Sequence, residues 1–121
     1  MSETKLVTKI INHLRDNDCY AVKYHVSQYA TAGVPDILGC TPFDCTHEVT
    51  YGKMFCIEVK RPERWNEVTK AQKYQLEIAS KSGAIAGVVT NKEDALHLVS
   101  YGWFENAEWH NGVWYCKKPK S

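Results

Sequence analysis

The apolar positions along the chain change period several times, and each change marks an element. Over residues 4–15, Leu6, Val7, Ile10, Ile11 and Leu14 recur at three-and-four spacing, which predicts an amphipathic helix with one buried stripe. Asn17 and Asp18 are poor helix interiors and close it. Residues 19–27, CYAVKYHVS, are rich in β-branched and aromatic types and predict a strand. Gly33 and Pro35 punctuate a turn over 31–35. A short apolar strand follows at 36–40, ending at 39–42, and residues 41–52 read as a polar connection. The next strand runs over 53–60, with Phe55, Ile57 and Val59 on one side. Arg61-Pro62 stops it, because proline lacks the amide that a strand ladder needs.

The period then returns to that of a helix. Thr69 and Gln72 have capping-box spacing, in which each side chain satisfies the other's backbone amide. Ala71, Tyr74, Gln75, Ile78 and Ser82 predict the packed face of this helix, and Gly83 suits its end. Residues 84–89 form a short apolar run of the buried-strand kind. Asn91 is placed to cap a third helix through about Ser100. Asn111-Gly112, within 109–116, is a strong hairpin signal, and the basic tail KKPKS is expected to fray. The order is helix, three strands, helix, strand, helix, strand. It predicts an α/β (α+β) fold with a mixed central sheet flanked by helices. No repeat or linker interrupts residues 1–121, so a single domain is expected.

Composition adds little to this picture. With 44% hydrophobic and 24% charged residues, the chain has ordinary globular composition. No stretch approaches the roughly 20 apolar residues of a membrane helix, and MSETKLVTK lacks a signal-peptide core, so the expected compartment is the cytoplasm. The net charge of +1 is uninformative, since a nucleic-acid binder can concentrate its charge at one place. Cys19, Cys40, Cys45, Cys56 and Cys116 show no CxxC pair, and His13, His47, His97 and His110 show no ligand spacing. Buried reduced thiols are the expected state of most of the cysteines.

The informative residues lie in three segments, GVPDIL from Gly33, FCIEVKRP from Phe55 and TKAQKYQLEIASKSGAIAGVV from Thr69. On a strand, side chains two apart share a face, so Glu58 and Lys60 point together while Ile57 and Val59 point into a core. E-x-K alone is common and fits a solvated strand face with a weak ion pair. Asp36 changes its meaning, because it opens a short strand expected to pair with the Glu58 strand. Two carboxylates from neighbouring strands can converge on one divalent cation, and magnesium favours such oxygen ligands. Phosphodiester hydrolysis needs this set: a metal to polarise the phosphoryl oxygen and activate water, and a lysine to orient the nucleophile or stabilise developing charge. Asp36 and Glu58 would hold the metal, and Lys60 would act beside it.

GVPD followed by EVK, with the later Gln72 and the strand AIAGVV, resembles the PD-(D/E)xK nuclease superfamily, and more closely its VRR-NUC branch. The resemblance implies a restriction-endonuclease-like core, dependence on Mg2+ or Mn2+, and cleavage of DNA. Stand-alone members, phage-encoded and bacterial, look like structure-selective endonucleases, some acting on four-way junctions as homodimers. It also implies that the backbone carbonyl of Val59 joins Asp36 and Glu58 on the metal. Glu3 matches the acidic residue of the family's first helix. A helix turns about 100° per residue, so Glu3 lies over Val7 and Ile10 on the core-facing stripe; a first-turn carboxylate is also favoured by the helix dipole alone. Gln72 matches a glutamine that lies near the family's active site, where the resemblance implies contact with the phosphate or water, yet the capping box explains it at least as well, and one amide is not expected to fill both roles fully.

Around these residues, Arg61, Arg64, Lys70 and Lys73 form either a phosphate-contacting strip or a solvated helix start. Trp65 could stack on a base or pack, and either Tyr24 or His25, but not both, could face the site. Tyr101, Trp103, Phe104, Trp109, Trp114 and Tyr115 are expected to be mostly core. Beside the endonuclease of branched DNA stand two alternatives: an exonuclease or restriction-type nuclease on linear DNA, and a DNA-binding module of the same fold without activity.

Overall fold

A computed structural model describes residues 1–25, 31–44 and 51–120. The first helix, α1 (Glu3–Asp16), buries Leu6, Val7, Ile10, Ile11 and Leu14, the stripe that the periodicity predicts. The Ser2 hydroxyl caps its start by accepting from the Lys5 amide, and Asp18 ends the turn beyond it with a φ of 68°. The strands are β1 (Tyr20–Lys23), β2 (Ile37–Asp44) and β3 (Tyr51–Val59), followed by a 3₁₀ turn (Pro62–Arg64) and α2 (Lys70–Lys81). Then come β4 (Ile85–Val89), α3 (Lys92–Tyr101), β5 (Ala107–His110) and β6 (Val113–Cys116). They form one six-stranded mixed sheet in the order β1-β2-β3-β4-β6-β5. β3, β4 and β6 are mutually parallel; β2 and β5 run antiparallel to them, and β1, antiparallel to β2, runs in their direction. The mixed α/β architecture expected from the sequence is the one observed.

The helices divide between the faces. Leu98 of α3 packs where Gly87 leaves room on the face of Ile57, with α1 beside α3 and against β1. α2 covers the opposite face, to which Glu58 and its neighbour Val88 belong. Phe55, Ile57, Val59, Val88 and Val89 are fully enclosed between these layers, so β3 and β4 are buried on both sides, as central parallel strands are.

Several boundaries differ from expectation. β1 stops at Lys23, although the Tyr24 amide still donates to the Asp36 carbonyl at 2.8 Å. The rest of the predicted 19–27 strand, residues 26 and 27, lies outside the described residues. β2 does not stop near Pro42 but continues to Asp44, and β3 begins at Tyr51, so the polar connection expected over 41–52 is strand at both its ends. The reason is local. β1 pairs only as far as Cys40, so beyond it β2 is an edge on that side and Pro42 leaves no ladder bond unmade there. The rest of that connection, with Cys45 and His47, is outside the described residues.

The packed face of α2 is also not the predicted one. Ala71, Tyr74 and Ile78 are exposed, whereas Leu76 is fully buried and Ala79 packs on the core. The capping box turns Gln72 toward the sheet, and one helical turn later the same face presents Leu76. The aromatic tail divides evenly rather than being mostly core. Phe104 is buried and Trp114 and Tyr115 pack on the core, while Tyr101, Trp103 and Trp109 are exposed. His97 gathers Tyr101 and Trp103 into a surface cluster, with ring centroids 4.7 and 4.6 Å away. Trp109 sits on the edge strand β5. The Asn111-Gly112 turn is as expected: both residues have positive φ, the condition of a two-residue hairpin whose twist matches its strands.

Gly33 positions the turn that leads to Asp36. Its φ is 81°, and a Cβ there would overlap the backbone of Ala71 and Gln72 in the first turn of α2. Gly102 has a similar φ of 82° with open space around it. Gly102→Ala should therefore cost about 1 kcal/mol from backbone strain alone. Gly33→Ala should cost clearly more, because the 31–36 turn must also move away from α2. Urea unfolding of the two variants checks this, and equal losses would mean that the turn does not depend on its contact with α2.

Candidate metal and catalytic site

β2 and β3 pair as far as Ile37 and Ile57, and there the ladder ends. The next two steps of the register would place Asp36 opposite Glu58 and then Pro35 opposite Val59. Proline has no amide to offer, and the strands part. The Val59 amide, left without a β2 carbonyl, donates instead to Asp36 Oδ2 at 2.9 Å. The carboxylate is thus fixed at the end of the sheet by the strand that carries Glu58. On the other side of β3, the Lys60 amide donates to the Val89 carbonyl at 3.0 Å and extends the parallel pairing by one residue. This keeps Lys60 on the face of Glu58.

Glu58 is 2% exposed and Lys60 8%, a degree of burial that charged groups tolerate only with partners. Lys60 Nζ lies 3.6 Å from Glu58 Oε2. The same oxygen accepts from Gln72 Nε2 at 3.1 Å, while Gln72 Oε1 accepts from the Thr69 amide at 2.9 Å. Gln72 therefore caps α2 and bonds Glu58 at once. Its amide has two ends, and α2 starts close enough to Glu58 for the oxygen to cap the helix while the nitrogen holds the carboxylate.

Glu3 enters from the first turn of α1. One carboxylate oxygen from each of Glu3, Asp36 and Glu58 lies within 4.8 Å of the other two, and this cluster could bind a metal ion. It contains neither His nor Cys. Opposite ligands of an octahedral magnesium are about 4.2 Å apart, so the spacing is of the right order for oxygen coordination. Three carboxylates against the single Lys60 ammonium leave two negative charges when all are ionised. Burial pushes the Glu58 carboxyl up to about 8, helped by the negative charge of Asp36, opposed by Lys60, and helped again by hydrogen bonding to Asp36 and the charge of Glu3. Without a cation, the cluster holds a proton.

The other candidates distribute around this centre. Val59 contributes only backbone, since its side chain is buried on the opposite face. Arg61 pairs with Glu63 at 3.5 Å and Arg64 with Glu67 at 3.4 Å, exposed contacts worth at most about 1 kcal/mol. Lys70 and Lys73 are exposed on the first turn of α2 and take part in no ion pair among the described residues. Trp65 packs against the core, and its carbonyl accepts from the Cys116 thiol. Tyr24 is half-buried and His25 exposed. Of the cysteines, Cys19, Cys56 and Cys116 are buried with thiols pushed up chiefly by burial, and Cys40 is half-buried. The contact of Gly33 with α2 was not anticipated. Only its place in the GVPD turn, two residues before a proline, marked it.

No helix among the described residues is long and apolar enough to cross a membrane. Scanned against models of protein families, against curated proteins and against solved structures, the chain matches none.

Glu58 gives the metal-free protein a pH-dependent stability of definite sign. Its folded-state value of about 8 stands above the ordinary carboxylate value of 4.5, so the folded state binds more protons between them. This contribution is fully present below about pH 4.5 and is lost as pH rises through about 8, with a slope of up to about 1.4 kcal/mol per pH unit. Thermal or urea unfolding in chelator should show stability falling over that window, and Glu58→Gln should flatten the curve. A wild-type curve that rises from pH 5 to 8 would mean that Glu58 is ionised in the metal-free fold.

Proposed function

We propose that this protein is a divalent-metal-dependent deoxyribonuclease that cleaves phosphodiester bonds within branched DNA, such as a four-way junction. The observation that carries this reading is the convergence of Glu3, Asp36 and Glu58 beside a buried lysine at the carboxyl end of parallel strands. The resemblance of GVPD and EVK to the VRR-NUC branch supports the same reading independently.

The donor set fits Mg2+ or Mn2+: hard oxygen ligands, a deficit of two positive charges, and room for further ligands from water and phosphate. Asp36, Glu58 and, from α1, Glu3 would hold it, with the Val59 carbonyl as a fourth protein ligand. When bound, such an ion polarises the scissile phosphoryl group and lowers the pKa of water. The protein's own residues do the rest. Lys60, fixed between the sheet and Glu58, orients the attacking water and offsets charge that builds on the phosphoryl oxygens. Gln72 positions Glu58, so that one oxygen is held and the other turns to the ligand. Lys70 and Lys73, together with Arg61 and Arg64 once these leave their exposed glutamates, take the flanking phosphates. Two symmetric cuts in a junction would call for a homodimer with a two-fold axis.

The test is cleavage of labelled four-way junction, flap, single-stranded and linear duplex DNA in Mg2+, Mn2+ or chelator. Asp36→Ala and Lys60→Ala should each lower the rate by on the order of 10²–10³-fold, and chelator should abolish it. Gln72→Ala should lower kcat with little change in KM, since it acts through Glu58. Preference for the junction supports the endonuclease, whereas progressive shortening of linear duplex would replace it with an exonuclease. DNA binding without cutting in either metal would leave only a binding module, and cutting that survives both variants would place the activity elsewhere.

A further inference from the structure

The sheet register carries the site further than the carboxylates. On the face covered by α2, Glu58 of β3 stands beside Val88 of β4, then Tyr115 of β6, then Glu108 of β5. Beyond Val88 this row opens into a cleft of about 430 Å³ between α2 and the β5–β6 hairpin. That is within the range of about 300–1,000 Å³ typical of small-molecule pockets. Its floor is buried and apolar, formed by Val88 and Cys116. The aromatic residues Trp65 and Tyr115, both half-buried, line it, and Lys73, Glu77, Glu108 and His110 are among its polar groups.

We propose that this cleft receives a single unstacked nucleobase of the substrate strand, preferring bases that carry amino groups. Three observations carry the inference. First, the cleft combines an apolar floor with aromatic surface, the combination on which an unstacked base rests in single-strand and flipped-base recognition. Second, its charge selects base over phosphate. Glu77 and Glu108 would repel a phosphate held inside, whereas each is a good acceptor for amino N–H groups. Glu77 already takes the Asn111 amide at 3.1 Å and Glu108 the His110 ring nitrogen at 3.2 Å, and each carboxylate has a second oxygen to offer. Third, the position fits. Tyr115 is two strands from Glu58, about 10 Å at the usual strand spacing, or roughly three stacked nucleotides at about 3.4 Å each. Lys73, which lines the cleft, is exposed and follows Gln72 in sequence, suits the phosphate connecting the two. Thymine, with one imide N–H between two carbonyls, fits this lining less well than guanine or cytosine. The purpose of the pocket rests on the nuclease reading, but base binding itself does not.

The test therefore has two arms. In the first, guanosine, cytidine and thymidine are titrated into the metal-free protein, followed by amide and indole NMR. Guanosine and cytidine should shift the signals of Trp65, Val88 and Tyr115. Their affinity should fall about ten-fold in Trp65→Ala, and also in Glu108→Gln, an exposed substitution that leaves the core intact. No shift at these residues overturns the pocket, and equal binding of thymidine overturns its selectivity. In the second arm, an abasic position is walked along the substrate near the cut. One position should lower kcat/KM about ten-fold in the wild type and much less in Trp65→Ala. Nucleoside binding without any DNA cleavage would keep the pocket and reject the nuclease, whereas cleavage indifferent to every abasic position would do the reverse.

Discussion

The buried carboxylate of Glu58 is the constraint around which the rest of the site is arranged. A carboxylate at 2% exposure is unfavourable unless its oxygens are bonded and its charge is balanced. Lys60, Gln72, Asp36 and Glu3 all turn toward it from different elements. Each arrives for a local reason: Lys60 by strand alternation, Gln72 by the capping box, Asp36 by the unpaired Val59 amide, and Glu3 from the first turn of a helix whose stripe is buried. The balance stays incomplete, since one ammonium faces three carboxylates. A divalent cation would make up the difference and a proton on Glu58 half of it, which would tie the protonation of Glu58 to metal occupancy.

The topology supplies the place where such a deficit is tolerable. Parallel β3 and β4 end together at Val59 and Val89, and the crevice outside the carboxyl ends of parallel strands is where open α/β sheets collect ligands. On the β2 side the ladder ends at the same level because proline precedes Asp36. The gap is thus bounded by a parallel pair that continues to Lys60 and an antiparallel pair that has just stopped. Gly33 closes the arrangement by letting the turn before Asp36 approach the first turn of α2, the same turn from which Gln72 reaches Glu58.

Much of this was legible because it depends on short-range rules. The stripe of α1, the caps at Thr69 and Asn91, the Asn111-Gly112 turn and the shared face of Glu58 and Lys60 are all set by residues within four positions of one another. What was not legible depends on partners far along the chain. The packed face of α2 follows from the side chain of Gln72, oriented by the capping box, meeting Glu58, fourteen residues earlier. The length of β2 follows from where β1 ends, and the exposure of Trp109 from its strand lying at the sheet edge. The bond of Gln72 to Glu58 was not legible for a different reason. The Gln72 amide was treated as having one valence, when its oxygen and nitrogen point in opposite senses and the distance between α2 and β3 lets both be used.

On the proposed reading, the row Glu58–Val88–Tyr115–Glu108 would let a small domain treat two parts of a nucleotide differently. Its two ends are acidic but act in opposite ways. At Glu58 the negative charge is concentrated, buried and adjacent to a lysine, so it would draw a cation and, through that cation, a phosphate. At Glu108 and Glu77 the charge is dispersed, partly exposed and already shared with His110 and Asn111, too weak to hold a metal but well suited to accept N–H donors. Val88, apolar and fully buried, separates the two fields. Because strand spacing in a sheet is nearly invariant, the distance between the phosphate-directed and base-directed ends is fixed by the fold, about 10 Å across two strands. Sequence change in the hairpin could then alter which base is favoured without disturbing the carboxylates that would perform the cut.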